Sequence, residues 1–254
     1  MMFLEFFIWG GWYVTMGTYL TQTFSASGID LALAYETQSI GALIAPFIIG
    51  LIADRYFAAQ KLLGVLHLLG GVLLIVAANQ NSFSLFYPFV LSYMILFMPT
   101  LALVNAVAFR QMKDPSEEFA AIRTLGTLGW IAAGLAIGKL GWEKTLSLEN
   151  TFIMAGAASI LLGLYSFFLP NTPPHKDKNE KINLKSLLGL ESLALLKDRS
   201  YLLFFITSVL VCIPLAFYYQ HANQFLNELG MEAAASKMAL GQFSELLFLL
   251  ALPL

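Results

Sequence analysis

One helix face in this sequence has the residue types and spacing to hold a polar ligand that carries a flat ring. Arg123, Thr127 and Trp130 recur at i, i+4 and i+7. A helix there places a cation, a hydroxyl and a large aromatic on one face. Two of these groups can hydrogen-bond and the third can stack. Gln242 and Glu245 stand three residues apart, as do Gln220 and Asn223, so each pair shares a helix face. A carboxylate in a low-dielectric cavity can carry a proton or accept hydrogen bonds from sugar hydroxyls.

Each of these residues also has a plainer reading. Arg123 can snorkel to an interface. Glu245 can pair with Arg123 or another polar group. Gln220 and Asn223, beside Tyr218 and Tyr219, can line a cavity mouth or mark a membrane interface. Glu5 stands evenly between a structural and a functional role. His67 reads as a helix–helix hydrogen-bond partner in preference to a titrating switch. Trp9 and Trp12 flank Gly10-Gly11 and read as packing residues, with ligand stacking open for one of them. Glu36 reads as interfacial. Cys212, the one cysteine, reads as a small buried hydrophobe.

The elements that must position these groups follow from composition. Of 254 residues, 58% are hydrophobic and 12% charged, roughly half the ~25% charged content of a soluble domain. Mean hydropathy is +0.73. That inventory argues against an ordinary soluble enzyme, a nucleic-acid binder and a disordered tail. It points to an all-α polytopic membrane protein. Allowing about 20 apolar residues per span, the length accommodates about eight. Spans are predicted at 3–24, 32–53, 60–79, 84–108, 121–141, 151–169 and 200–222, with an eighth from near 237. The apolar ends at Met1 and Leu254 predict a fragment of a longer protein. The first segment lacks the basic flank and cleavage site of a signal peptide. No Cys/His cluster has metal-ligand spacing. There is no recognisable Ser/His/Asp motif and no phosphate-binding glycine loop, so neither an enzyme nor a cofactor is expected.

Basic residues orient the spans. Ten of them follow spans 2, 4 and 6: Arg55, Lys61, Arg110, Lys113, Lys176, Lys178, Lys181, Lys185, Lys197 and Arg199. Only Lys139, Lys144 and Lys237 fall on the other side. The bias places those loops and the N-terminus in the cytoplasm. Residues 170–199 form the one long polar stretch. Asn171-Thr172-Pro173-Pro174 ends the sixth span. Ser186–Leu196 is leucine-rich and weakly amphipathic, predicted to rest on the inner membrane surface. Residues 1–169 therefore read as a six-helix bundle, 170–199 as a cytoplasmic linker and 200–254 as the start of a second bundle. Paired six-span halves are a known transporter layout.

Gly50, Asp54 and Arg55 stand between spans 2 and 3. The glycine permits close packing, Asp54 can accept hydrogen bonds from a neighbouring helix start, and Arg55 can pair with acids of the other half. Such a loop would latch the cytoplasmic side; the alternative is a plain charged loop that fixes topology. These residues and Lys61 resemble the loop after the second helix of the major facilitator superfamily, although its second glycine is missing from Tyr56-Phe57-Ala58-Ala59.

A wider resemblance is to the nucleoside:proton symporter family within that superfamily. It runs through Trp9-Gly10-Gly11-Trp12, Thr15, Gly17 and Tyr19; Pro46; His67; Met98-Pro99-Thr100-Leu101 and Asn105; Arg123, Gly126, Thr127 and Gly129; Leu169-Pro170 and Pro173; Gln220 and Asn223; and Ser244-Glu245 with Leu247-Phe248. The resemblance implies a nucleoside importer of a bacterial inner membrane, driven by proton symport through alternating access and working as a monomer. It implies a ligand site between two halves, formed here by Arg123, Thr127, Trp130, Gln220, Asn223, Gln242 and Glu245. Trp130 replaces another aromatic of the family pattern. The connection between Asn223 and Gln242 is shorter than in the typical permease. The coupling acid of the family would fall beyond Leu254. Two other readings stand beside this one: the same fold carrying a sugar or other polar metabolite, and a non-transporting membrane fragment or receptor.

Overall fold

A computed structural model describes residues 1–48, 52–53, 55–174 and 190–251. The described residues form helices and turns, with no strand. They are α1 (Met2–Gly10), α2 (Met16–Phe24), α3 (Gly28–Ile48), α4 (Ala59–Ala78), α5 (Phe83–Gln111), α6 (Pro115–Leu140), α7 (Glu149–Ser166), a 3₁₀ segment (Leu190–Lys197), α8 (Arg199–Glu228) and α9 (Ala234–Ala251). By length and composition α3, α4, α5, α6 and α8 can each cross a membrane. Gly50 and Asp54 of the expected latch, and residues 175–189 of the linker, lie outside the described residues.

The first predicted span is two helices. Gly10-Gly11 lowers helix propensity by about 1 kcal/mol per glycine, and residues 11–15 form hydrogen-bonded turns. Backbone groups freed inside a bilayer need partners from the protein. Tyr35 of α3 supplies them: its hydroxyl accepts from Gly17 N at 3.1 Å and donates to the Tyr13 carbonyl at 3.2 Å.

Several helices begin earlier than hydropathy predicts, because polar caps extend them. Ser27 and Asp30 cap α3 reciprocally. Asp114 caps α6 by accepting from Ser116 N at 2.9 Å, and Glu118 reaches back to the backbone N–H of Lys113 and Asp114. The Ser116 hydroxyl and its N–H hold the Asp114 carboxyl below the usual carboxylate range. Asp198 accepts from Tyr201 N and starts α8.

The core lies among α1–α5 and α7. Trp12, Tyr19, Phe86, Tyr93, Phe97 and Phe152 are all nearly or fully buried there, with Trp12 and Tyr93 meeting edge-on at 5.5 Å between centroids. Hydrophobic force between helices vanishes in lipid, so packing contacts must do this work. Small residues let α4 and α7 approach backbone to backbone. A Cβ on Gly71 would lie 2.6 Å from the Gly156 carbonyl oxygen, and one on Gly156 2.8 Å from that of Gly71.

One expectation is corrected: Cys212 is exposed, because residues 199–217 of α8 have almost nothing packed over them. The described part of the leucine-rich segment is a 3₁₀ helix over Leu190–Lys197, in which Leu190 and Leu193 are exposed.

Gly71→Ala in the full-length protein is expected to cost about 1–3 kcal/mol through overpacking. Gly28→Ala at the start of α3, where a Cβ meets nothing within 4 Å, should leave stability unchanged or improved. Thermal unfolding in detergent compares the two, and equal transitions would show that the α4–α7 approach is not tight.

Candidate functional site

A cavity of about 120 Å³ opens between α1, α6, α8 and α9. Arg123, Thr127 and Trp130 of α6 line it on one side, Gln242 and Glu245 of α9 on the other, with Phe6, Trp9 and Tyr219 completing the wall. The helical spacing explains the first two groups, since each set projects from one helix face.

The Arg123 guanidinium lies 4.0 Å from the Phe6 ring centroid, a cation–π contact. Gly126 makes room for it: a Cβ there would meet Phe6 at 2.6 Å and Arg123 Nη1 at 2.8 Å. Glu245 Oε1 accepts from the Thr127 hydroxyl at 3.2 Å and stands 3.9 Å from Arg123 Nη2. The Arg123 side chain is 27% exposed and that of Glu245 44%. At that separation and exposure the pair contributes at most ~1 kcal/mol. Arg123 Nη1 and the Trp9 indole N–H are both buried without a hydrogen-bond partner in the protein.

Trp130 packs on the α1 backbone, where a Cβ on Gly10 would lie 2.8 Å from its ring. It meets Trp9 edge-on at 5.7 Å and Tyr219 at 5.8 Å. Trp130 and Tyr219 also line a small void of about 10 Å³ with Gly134, Ala235 and Ala239. They therefore stand between the cavity and a polar seam at the end where α6 finishes and α9 begins.

That seam takes Asn223 away from the cavity. Asn223 is 1% exposed; its Oδ1 accepts from the Thr18 hydroxyl at 2.6 Å and its Nδ2 donates to Glu143 Oε1 at 2.8 Å. Glu143 also accepts from Asn227 Nδ2 at 3.2 Å and from Ala235 N at 3.1 Å. Ser236 donates to the Gly134 carbonyl at 2.9 Å. Gln220 is half-buried and does not line the cavity; its carbonyl lies against Gly17. Five of the seven expected ligand residues thus converge, and Gln220 and Asn223 do not join them. Arg55 is buried.

Sequence reasoning missed Phe6 and the hub role of Glu143, and left Tyr219 open between a cavity mouth and a membrane interface. Phe6 carried no spacing signal of its own. Glu143 sits in a polar turn, where a carboxylate draws no notice. Glu5 and His67 form a buried pair at 2.8 Å joined by Thr100 and Ser159, so His67 does link helices.

A family model described as nucleoside H+ symporter matches residues 1–254. The chain is 43% identical over 257 residues to YegT of Escherichia coli K12, a provisionally named nucleoside transporter, covering 100% of this chain and 60% of that protein. It is 31% identical to the xanthosine permease of the same organism, covering 100% of this chain and 63% of the permease. A crystal structure of the nucleoside transporter NupG superposes with a TM-score of 0.82 at 28% identity, covering 99% of this chain and 65% of that one. A point mutant of NupG gives 0.85, covering 97% and 64%. The chain thus spans about 60% of the length of the curated relatives it matches.

Glu143→Ala strands the buried Asn223 amide and the Ala235 N–H, while Asn227 Nδ2 keeps the Asn223 oxygens, and is expected to destabilise the full-length protein by about 2–3 kcal/mol. Lys144→Ala, which removes a fully solvated bridge to Glu232, should stay within about 0.5 kcal/mol. Indistinguishable unfolding curves for the two variants would rule out the seam as a stabilising contact.

Proposed function

The chain belongs to the nucleoside H+ symporter family, and from that premise we propose that the full-length protein imports nucleosides across a bacterial inner membrane by proton symport. The observation that carries this is the cavity: two residues with unpartnered buried donors, a carboxylate with spare acceptor sites and a cluster of aromatic rings line one polar space. A nucleoside matches that set. Its base carbonyls and ring nitrogens accept from Arg123 and Trp9, its ribose hydroxyls donate to Glu245, and its base lies against Trp130 or Tyr219. Thr127 and Gln242 complete the polar ring. The cavity is smaller than the ~300 Å³ lower end of ligand pockets, so these residues form one wall of the site.

Residues 1–169 act as the first bundle, 170–199 as its cytoplasmic linker and 200–254 as the opening of the second. The N-terminus is cytoplasmic, following the distribution of basic residues, and the protein works as a monomer within the bilayer. In that orientation the Glu143–Asn223 seam closes the outer end. Alternating access would open it, freeing Asn223, with Gln220 a turn away, to meet arriving substrate. Gly50, Asp54 and Arg55 form the opposing cytoplasmic latch. A sugar cargo is not favoured, since the relatives described above are named for nucleosides.

The test is uptake of labelled uridine and adenosine by cells expressing the full-length gene. Wild-type uptake should collapse with an uncoupler. Glu245→Gln and Arg123→Ala should each reduce it at least tenfold, about 1.4 kcal/mol. Uptake retained in both variants would discard this site, and expression without uptake would discard the substrate.

A further inference from the structure

Glu5 and His67 are 0% and 1% exposed, and their hydrogen bonds count protons. Ser159 Oγ donates its only proton to the His67 carbonyl at 2.9 Å. Its oxygen is then an acceptor for His67 Nδ1 at 3.0 Å, which assigns a hydrogen to Nδ1. The other ring nitrogen, Nε2, stands 2.8 Å from Glu5 Oε2. One proton must lie between those two atoms. It belongs either to an imidazolium facing a carboxylate or to a carboxylic acid facing a neutral imidazole. Without it, two lone pairs would oppose each other at that distance with no water to separate them. The Thr100 hydroxyl faces Glu5 Oε1 at 2.7 Å and the Phe97 carbonyl at 2.5 Å, and cannot supply the missing proton to Oε2.

The pair ties α1 to α4, α5 and α7. It also sits behind the cavity wall. Phe6 and Trp9, which line the cavity, are on the same short helix as Glu5. The Phe97 ring meets His67 at 6.1 Å and Trp9 at 5.8 Å. α1 ends at the break after Gly10 and packs closely on α6, where a Cβ on Gly129 would lie 2.0 Å from the Phe3 carbonyl oxygen, so a displacement of α1 is felt on the cavity wall that α6 provides. Among the described residues, the ionisable side chains around Glu5 are His67 on α4 and the Tyr93 phenol on α5. α7 brings the neutral Ser159, and Arg123 of α6 lies over the neighbouring Phe6 ring.

We propose that Glu5 and His67 form an internal proton-binding site whose occupancy holds the α1 wall of the cavity in its ligand-binding position. The proposal rests on the nucleoside reading above and adds a second place where a proton meets the substrate site. Proton and nucleoside then bind with positive cooperativity, and the coupling is reciprocal. With the proton bound, α1 stays docked and nucleoside binds tightly. As pH rises and the proton leaves, α1 separates from α4 and affinity falls.

Uridine affinity of the purified full-length protein, measured by calorimetry from pH 5 to 9, tests this. Wild-type Kd should rise with pH, approaching tenfold per unit once the site empties. Glu5→Gln keeps a neutral hydrogen-bonding partner, and should bind within about threefold of wild type at pH 5 with a flattened profile; His67→Gln should flatten it likewise. A Glu5→Gln profile superimposed on the wild-type curve overturns the proposal, as does a flat wild-type profile. Loss of uridine binding in both variants at every pH makes the pair structural, and overturns it as well. Wild-type protein that binds no nucleoside at any pH refutes the parent reading instead.

Discussion

A polar side chain inside hydrocarbon has no water to fall back on, and must find its partner in the protein. The rest of this structure depends on that constraint. A charge at mid-helix costs about 2.5–3.5 kcal/mol on insertion scales, so each ionisable group inside the bundle marks a place where helices are required to meet. Glu5 and His67 fasten α1 to α4, and Tyr35 satisfies the backbone at the break in the first span. Glu143 gathers the ends of α8 and α9. Not every buried donor is met: those of Arg123 and Trp9, which line the cavity, lack a hydrogen-bond partner in the protein, and Trp12 and Tyr93 of the aromatic core carry others.

Two kinds of packing surround these polar points. The aromatic cluster of Trp12, Tyr93 and Phe152 fills space by edge-on and tilted contacts, and the small residues of α4 and α7 remove space by bringing backbones together. The first suits a region that must hold shape around a polar network. The second makes a rigid scaffold on the side away from the cavity. The cavity itself is built from α1, α6, α8 and α9, and α1 is joined to that scaffold through Glu5 and His67.

Much of this was legible before any coordinates. The alternation of long apolar runs with short polar turns marks the helices, and the spacing of Arg123, Thr127 and Trp130 marks a shared face. The pairing of Gln242 with Glu245 has the same local origin, and all five residues meet. Asn223 was not legible in the same way. Its spacing from Gln220 says that they share a helix, not that Glu143 and Thr18, from elements 80 and 205 residues away in sequence, would claim the amide. Contacts of that range leave no periodic trace. Helix starts were misjudged wherever a cap such as Asp114 outweighed hydropathy. The two-part first span was hidden because its apolar character runs unbroken through Gly10-Gly11, while the hydroxyl that stabilises the break comes from α3.

That break carries a consequence for biosynthesis. α2 has nine residues, about 14 Å of helix at 1.5 Å per residue, against a hydrocarbon core of about 30 Å. It cannot cross the bilayer alone and must enter together with the helix before the break. The hydroxyl that stabilises the break belongs to α3, which leaves the ribosome later. The interruption is therefore imposed afterwards, when the third helix arrives, and the order of translation itself becomes part of how this site is assembled.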